Sequence, residues 1–257
     1  MLPVARLTLR FFRRELQNRF AGSFTGGLWA LVQPLIQLLV YSFVFVQVFK
    51  ARLPGADAPG YVPFLVTALW PWTAFSEAIV RSTTAVQENA ALIGKVSLPR
   101  EVLVVASAAA SFAVHLAGFV AILIALALAG KGIVVAGILP AVLLYIPMFA
   151  LALGIALITA SVQVFVRDLV QALGQLMMLL TFAAPIFYDT AQVPESMRGV
   201  LALNPFTFYA DAFRALLLDH GEVGIGRFAL AMAIAAIVLL AGHLLFRRLD
   251  PHFEDFL

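Results

Sequence analysis

Residues 28–49 form one apolar stretch of 22 residues, and a basic amphipathic stretch runs straight into it. At about 1.5 Å rise per residue, such a run is long enough to cross the hydrocarbon core of a bilayer. In the stretch before it, Leu9, Phe12, Leu16 and Phe20 recur at spacings of three and four and share one helical face. Arg6, Arg10, Arg13 and Gln17 repeat the rhythm on an adjoining face, with Arg14, Glu15 and Arg19 nearby. Such a helix suits the membrane plane, its apolar side in the acyl boundary and its arginines among anionic headgroups. The sequence thus predicts one helix lying on the membrane and the next passing through it.

Composition extends this reading to the whole chain. Of its 257 residues, 63% are hydrophobic and 12% charged, and mean hydropathy is +0.99. A soluble domain is about half apolar and a quarter charged, so the expected class is an all-α integral membrane protein. There is no cysteine, which excludes disulfides and thiol chemistry. The N-terminus does not read as a cleavable signal, because its basic region is too long and Gly22-Ser23 precedes the apolar run. A net charge of +3 does not imply nucleic acid.

Six spans are expected, at 28–49, 62–86, 102–129, within 133–166, at 169–188 and at 228–246. Gly130-Lys131-Gly132 reads as a tight hairpin between the third and fourth. The fourth apolar run is too long for one upright helix, and Pro140 and Pro147 suggest a kink or a late start. If both termini are cytoplasmic, the inner segments hold Arg6, Arg10, Arg13, Arg14, Arg19, Lys95, Arg100, Arg167, Arg247 and Arg248. The outer segments then hold Lys50, Arg52, Lys131, Arg198, Arg214 and Arg227. This bias satisfies the positive-inside rule modestly. Between the fifth and sixth spans, short apolar runs at 200–203 and 206–218 flank Asn204-Pro205, with Pro194 upstream. Runs this short suggest re-entrant or interfacial helices in the region 189–225.

Catalysis finds little support. Glu77 lies in the second span with Arg81 four residues on, an order that favours a structural ion pair. His115 sits alone in the third span and reads as a packing or interhelical hydrogen-bonding residue, and His243 lies in the sixth. No HExxH, paired Asp or serine-elbow motif is present, so no catalytic and no metal-binding residue is expected. Gly94-Lys95-Val96-Ser97 superficially resembles a phosphate loop. It lacks the first glycine, where Asn89 stands, and the hydroxyl after the lysine, where Val96 stands. This chain is not expected to bind ATP or any other cofactor.

Residues 87–101, QENAALIGKVSLPRE, lie on the cytoplasmic side in this reading. Glu88 and Asn89 can cap a short helix whose Ala91, Leu92 and Val96 face something nonpolar, and Pro99 ends it. A loop this apolar beside Lys95 and Arg100 suits docking on a cytoplasmic partner. On the first span, Gln33, Gln37, Tyr41 and Gln47 follow a roughly helical period, a costly face to show lipid. They suit a polar path, beside aromatic clusters that include Phe45, Trp72, Phe187 and Tyr188 and that otherwise read as interfacial belts.

Together these residues make the chain similar to the membrane subunits of type-two ABC exporters, specifically O-antigen and related polysaccharide permeases. The resemblance covers essentially the whole chain. It rests on Arg19-Phe20-Ala21-Gly22-Ser23, Leu28-Trp29-Ala30 and Pro34, Pro71-Trp72-Thr73-Ala74-Phe75, and the run from Glu88-Asn89 to Leu98-Pro99-Arg100-Glu101. It continues through Val166-Arg167-Asp168, Pro185-Ile186-Phe187-Tyr188, Val193-Pro194, Asn204-Pro205 and Phe213-Arg214. The resemblance implies a homodimer in the bacterial inner membrane joined to two separate ATP-binding subunits, which hold the ATP and magnesium. It casts residues 1–24 as an interface helix, and Glu88, Asn89, Leu92, Lys95, Pro99 and Arg100 as the coupling segment, with Arg167 and Asp168 as a second contact. The implied substrate is a polysaccharide on a polyprenyl diphosphate, entering near Arg10, Arg13, Arg14 and Arg19. Gln33, Gln37, Tyr41, Phe45, Trp72, Phe187 and Tyr188 would line its channel. Capsular or teichoic-acid permeases and drug or small-lipid exporters share the architecture, and a membrane glycosyltransferase is the reading from another class.

Overall fold

A computed structural model of the protein describes residues 4–20, 26–50, 60–95, 98–218, 221 and 223–256. The junction at 21–25, residues 51–59 with Arg52, and Val96 and Ser97 of the expected coupling turn lie outside the described residues. Every regular element among the described residues is helical. The helices are α1 Val4–Phe20, α2 Gly26–Phe43, α3 Tyr61–Thr83, α4 Ala85–Glu88, α5 Ala90–Ile93 and α6 Glu101–Leu128. They continue with α7 Ile138–Gln163, α8 Leu169–Ala183, α9 Glu195–Ala202, α10 Pro205–Leu217 and α11 Ile225–Leu249.

Among the described residues, three segments are long and apolar enough to cross a membrane: Glu101–Leu128, Val135–Gln163 and Ile225–Asp255. Val32–Val48 and Leu169–Ala183 are shorter apolar helices. The expected fourth span does start late: a 3-10 turn at Val135–Gly137 precedes α7, and Pro140 falls in its first turn, where a missing N–H costs nothing. Gly130 and Gly132 take φ of 65° and 74°, the left-handed conformation that lets the chain turn back after α6. In α2 the helix encloses Pro34 and then widens into a π-helical turn at Val44–Val48, closed by Phe49 N–H donating to Val44 O at 3.0 Å. The expected fifth span is shorter than 169–188, because α8 gives way to extended backbone at Ala184, the residue before Pro185.

The hub of the bundle is α3, which carries too many polar side chains to face lipid and is enclosed by its neighbours. Trp70 Nε1 donates to His115 O on α6 at 2.9 Å, and Trp72 Nε1 donates to Thr181 Oγ1 on α8 at 2.8 Å. Thr83 meets Thr159 of α7 at 2.7 Å, and Tyr61 Oη donates to Phe187 O at 3.0 Å. In an apolar medium such interhelical bonds specify which helices are neighbours. Alongside the hub, α7 and α11 approach closely through small residues. A Cβ built on Gly154 would fall 2.6 Å from Leu239 N, and one on Gly242 would fall 2.3 Å from Gly154 O.

The region expected to hold short helices does so. Asn204 is the N-cap of α10, its Oδ1 accepting from Phe206 N–H at 3.0 Å, with Pro205 at the first helical position. Arg214 is buried on α10 over the Phe64 ring, 3.6 Å from its centroid, and donates to Ile186 O at 2.9 Å.

Candidate functional site

The candidate site is the end of the bundle where α1, α4, α5, the α7–α8 turn and the C-terminus meet. It forms because α1 has two sides. Leu7, Phe11 and Phe12 pack against Val102, Leu103 and Ala106 of α6 and against Leu92, Ile93 and Leu98 of the turn. Leu9, by contrast, is exposed. The sequence placed Leu9, Phe12, Leu16 and Phe20 on one membrane-facing side; Phe12 belongs instead to the packed side, whose centre is Phe11. The four-residue spacing of Leu7 and Phe11 was the available signal.

A polar network lies along the same side. Arg19 Nη2 contacts Glu77 Oε1 at 2.7 Å and donates to Ser111 Oγ, and His115 Nε2 is 2.6 Å from Glu77 Oε2. Glu77 therefore does not pair with Arg81, as its sequence spacing suggested. Arg81 reaches Glu15 of α1 instead, at 3.6 Å. The i,i+4 rule describes isolated helix surfaces, whereas α1 supplies a closer cation to Glu77 and a carboxylate to Arg81. His115 is an interhelical hydrogen-bonding residue. Of the four arginines expected at a diphosphate entry, Arg19 is engaged here, and Arg14 donates to Asn89 Oδ1. Arg10 and Arg13 are exposed.

The coupling turn is fastened from three sides. Asn89 is the N-cap of α5 without capping it, because its Nδ2 donates back to Ala85 O at 2.8 Å while its Oδ1 takes Arg14. Glu88 accepts from Thr84 Oγ1 at 2.7 Å. Leu92, expected to face something nonpolar, packs half-buried against the chain's own Phe11 cluster. Arg100 likewise turns inward to the C-terminal 3-10 segment Asp250–Asp255, donating to Asp250 O at 2.7 Å, to Asp250 Oδ1 at 3.0 Å and to Glu254. That segment is anchored by Phe253, fully buried between Phe165 and Phe246. What remains outward is Glu88, Ala91, Gly94, Lys95 and Pro99.

Gln163, which no sequence pattern singles out, joins this turn to the next. Gln87 Nε2 donates to Gln163 O at 3.0 Å, and Gln163 Nε2 donates to Gln87 Oε1 at 3.2 Å and to Arg167 O at 2.9 Å. Its Oε1 accepts from Val170 N–H at 2.9 Å. Arg167 and Asp168 are exposed at the tip so held. The two expected contact segments are thereby one continuous surface.

The expected channel residues divide. Trp72 and Phe187 are buried in the chain's own core. The reason is hydrogen bonding and stacking: Trp72 is held by Thr181, and Phe187 stacks on Phe45 at 5.2 Å and meets Tyr41 edge-on at 4.8 Å. Tyr41, Phe45 and Gln37 are half-buried, and Gln33 is exposed on the outer side of α2. Tyr188 lies at the wall of an apolar cavity with Pro194, Met197 and Val200.

A bundle with several lipid-compatible helices and a basic helix clamped across one end defines a multi-pass membrane protein. The chain belongs to the ABC-2 type transporter family, which matches residues 6–218. It is 30% identical over 239 residues to the O-antigen export system permease protein RfbA of Myxococcus xanthus, covering 91% of this chain and 88% of that one. It is 26% identical over 251 residues to a Klebsiella pneumoniae protein of the same name, covering 95% and 92%. It is 25% identical over 237 residues to the polysialic acid transport protein KpsM of Escherichia coli, covering 92% and 90%. The last long helix, α11, lies beyond the family match yet packs tightly on α7.

Proposed function

We propose that this chain is the membrane subunit of an ATP-driven exporter that moves a lipid-linked polysaccharide of the O-antigen kind across the bacterial inner membrane. The observation that carries this is likeness to O-antigen export permeases over nine-tenths of the chain. The six-span reading follows if α2, α3 and α8 cross with α6, α7 and α11, which leaves both termini cytoplasmic. ATP and magnesium belong to a separate pair of ATP-binding subunits, and two copies of this chain enclose the path.

The geometry supports a mechanism for the coupling. Force applied at Glu88, Lys95 and Pro99 meets a segment whose described residues are tied to the bundle. Through Arg14–Asn89, Gln87–Gln163 and Arg100–Asp250 it reaches α1, the α7–α8 turn and the end of α11 together. Closure of the ATPase pair would therefore move these helix ends as one unit. Arg10 and Arg13 are the arginines free to attract the diphosphate at the inner leaflet, while Arg14 and Arg19 hold α1 in place. Leu92, packed inward, supports the turn and does not touch the partner.

Co-expression with a cognate ATP-binding subunit and reconstitution into vesicles tests this reading. The expected result is ATP-dependent accumulation of polyprenyl-diphosphate-linked glycan on the far side. Equal movement of small lipids or drugs, with no glycan movement, would move the assignment to the small-lipid exporters. Transfer of sugar without the ATPase would make the chain a glycosyltransferase. The KpsM likeness supports a second reading, a capsular polysaccharide as cargo, and the same assay with that polymer separates the two.

A further inference from the structure

Between α10, α11 and α7 lies a cavity of about 400 Å³ that the coupling and channel readings leave unused. Its walls hold unsatisfied polar groups. Tyr209 is only 1% exposed, and among the described residues its hydroxyl has no hydrogen-bond partner. Asn204, with its Oδ1 spent on capping α10, has a buried Nδ2 that is also unpartnered among the described residues. Buried donors left without acceptors are costly, and two on one cavity point to a ligand that brings acceptors.

Charge and shape narrow the ligand. The cavity is lined by one acid, Asp211, and one base, Arg227. Asp211 accepts from Thr190 Oγ1 at 2.9 Å, and burial raises its carboxyl above the ordinary carboxylate range, that hydrogen bond offsetting it only in part. Arg227 is exposed and, among the described residues, takes part in no salt bridge. Below it, Leu230 and Ile234 line the cavity and continue into an apolar face of α11 that the chain leaves uncovered.

We propose that this cavity holds one membrane phospholipid with a zwitterionic, primary-ammonium headgroup. Its phosphate sits on Arg227 and its ammonium on Asp211. The ester carbonyls accept from Tyr209 Oη and Asn204 Nδ2, and an acyl chain runs down Leu230 and Ile234. A wholly anionic headgroup would set negative charge beside Asp211, and a free sugar would leave the apolar face of α11 uncovered.

The test uses the full chain purified in mild detergent and transferred to nanodiscs of mixed phosphatidylethanolamine and phosphatidylglycerol, with retained lipid read by native mass spectrometry. The ethanolamine lipid is expected to stay bound preferentially. Its retention should fall about tenfold in Asp211→Asn or Arg227→Gln, each of which removes one charge-assisted contact. Ala231→Phe, which fills the cavity and leaves Asp211 and Arg227 in place, should abolish retention while helix content stays as in the parent. Equal retention of both lipids, or undiminished retention in Ala231→Phe, would overturn the proposal. So would displacement of the lipid by a soluble oligosaccharide, which would make this a glycan site. Neither ATPase nor glycan enters the measurement, so its failure leaves the export reading untouched.

Discussion

Arg19, at the end of the N-terminal helix, contacts Glu77 in the middle of the central helix α3 at 2.7 Å, and His115 holds the other carboxylate oxygen at 2.6 Å. One half-buried carboxylate thus ties α1 to both α3 and α6. Breaking this pair strands either the buried Arg19 or the partly solvated Glu77 without its partner. Arg19→Ala and Glu77→Ala should each destabilise the purified protein by about 2 kcal/mol, discounted from the fully buried case for partial exposure. The double variant should lose clearly less than the sum. Thermal unfolding of the four proteins in one detergent checks this, and strictly additive losses would sink it.

The Gly154–Gly242 crossing of α7 and α11 leaves no room for a side chain on either residue. Gly154→Val should separate the helices and cost about 1–3 kcal/mol or more, because the obstacle is backbone that cannot turn aside. Gly174 on α8 has nothing within 4 Å of a built Cβ. Gly174→Ala should therefore be neutral or stabilising by up to about 1 kcal/mol, through helix propensity alone. Similar losses at both positions would show that crowding is not the cause.

The C-terminal segment is held by Phe253 in the core and by Arg100 on its surface. Phe253→Ala should cost about 3 kcal/mol, typical for an aromatic removed from a packed site. It should also release Arg100 from Asp250 and Glu254, raising amide hydrogen exchange across residues 98–101 as well as 250–255. Exchange confined to the C-terminus would mean that the turn is not braced by it.

Long-range polar partners explain what the sequence could and could not disclose. The boundaries of α6 and α10 were legible because their signals are local: a glycine-flanked turn after one, and an Asn-Pro start for the other. Glu77 was misread because its true partner lies 58 residues earlier in the chain, counting from Arg19 to Glu77, and no periodicity links them. The intrachain contacts of Leu92 and Arg100 were not legible for the same reason: an apolar or charged side chain in a short turn does not reveal which surface lies beneath it. Gln163 was invisible because a glutamine at a helix end carries no pattern until its neighbours are in place.

Gln87 and Gln163 exchange hydrogen bonds between the two exposed turns. Gln87→Leu and Gln163→Leu should each cost only about 1 kcal/mol of stability. In the proposed exporter they should nonetheless lower glycan movement per ATP hydrolysed, since force on one turn would no longer reach the other. Measuring both rates in reconstituted vesicles distinguishes this from simple loss of fold, which would lower the two together.

The face of α2 offers the sharpest discrimination between a polar path and a lipid contact. Gln33, Gln37 and Tyr41 recur every four residues on one side, while Leu39, 70% exposed, lies on another. The chain has no cysteine, so a single introduced thiol is the sole reactive one. If two copies enclose a hydrated path lined by the glutamine side, Gln33→Cys should react readily with a membrane-impermeant maleimide, because the thiolate forms only in water. Leu39→Cys, facing hydrocarbon, should be nearly inert. Labelling of both at equal rates would mean that α2 turns no polar side toward a channel. Labelling of Leu39→Cys alone would reverse the face assigned to the path.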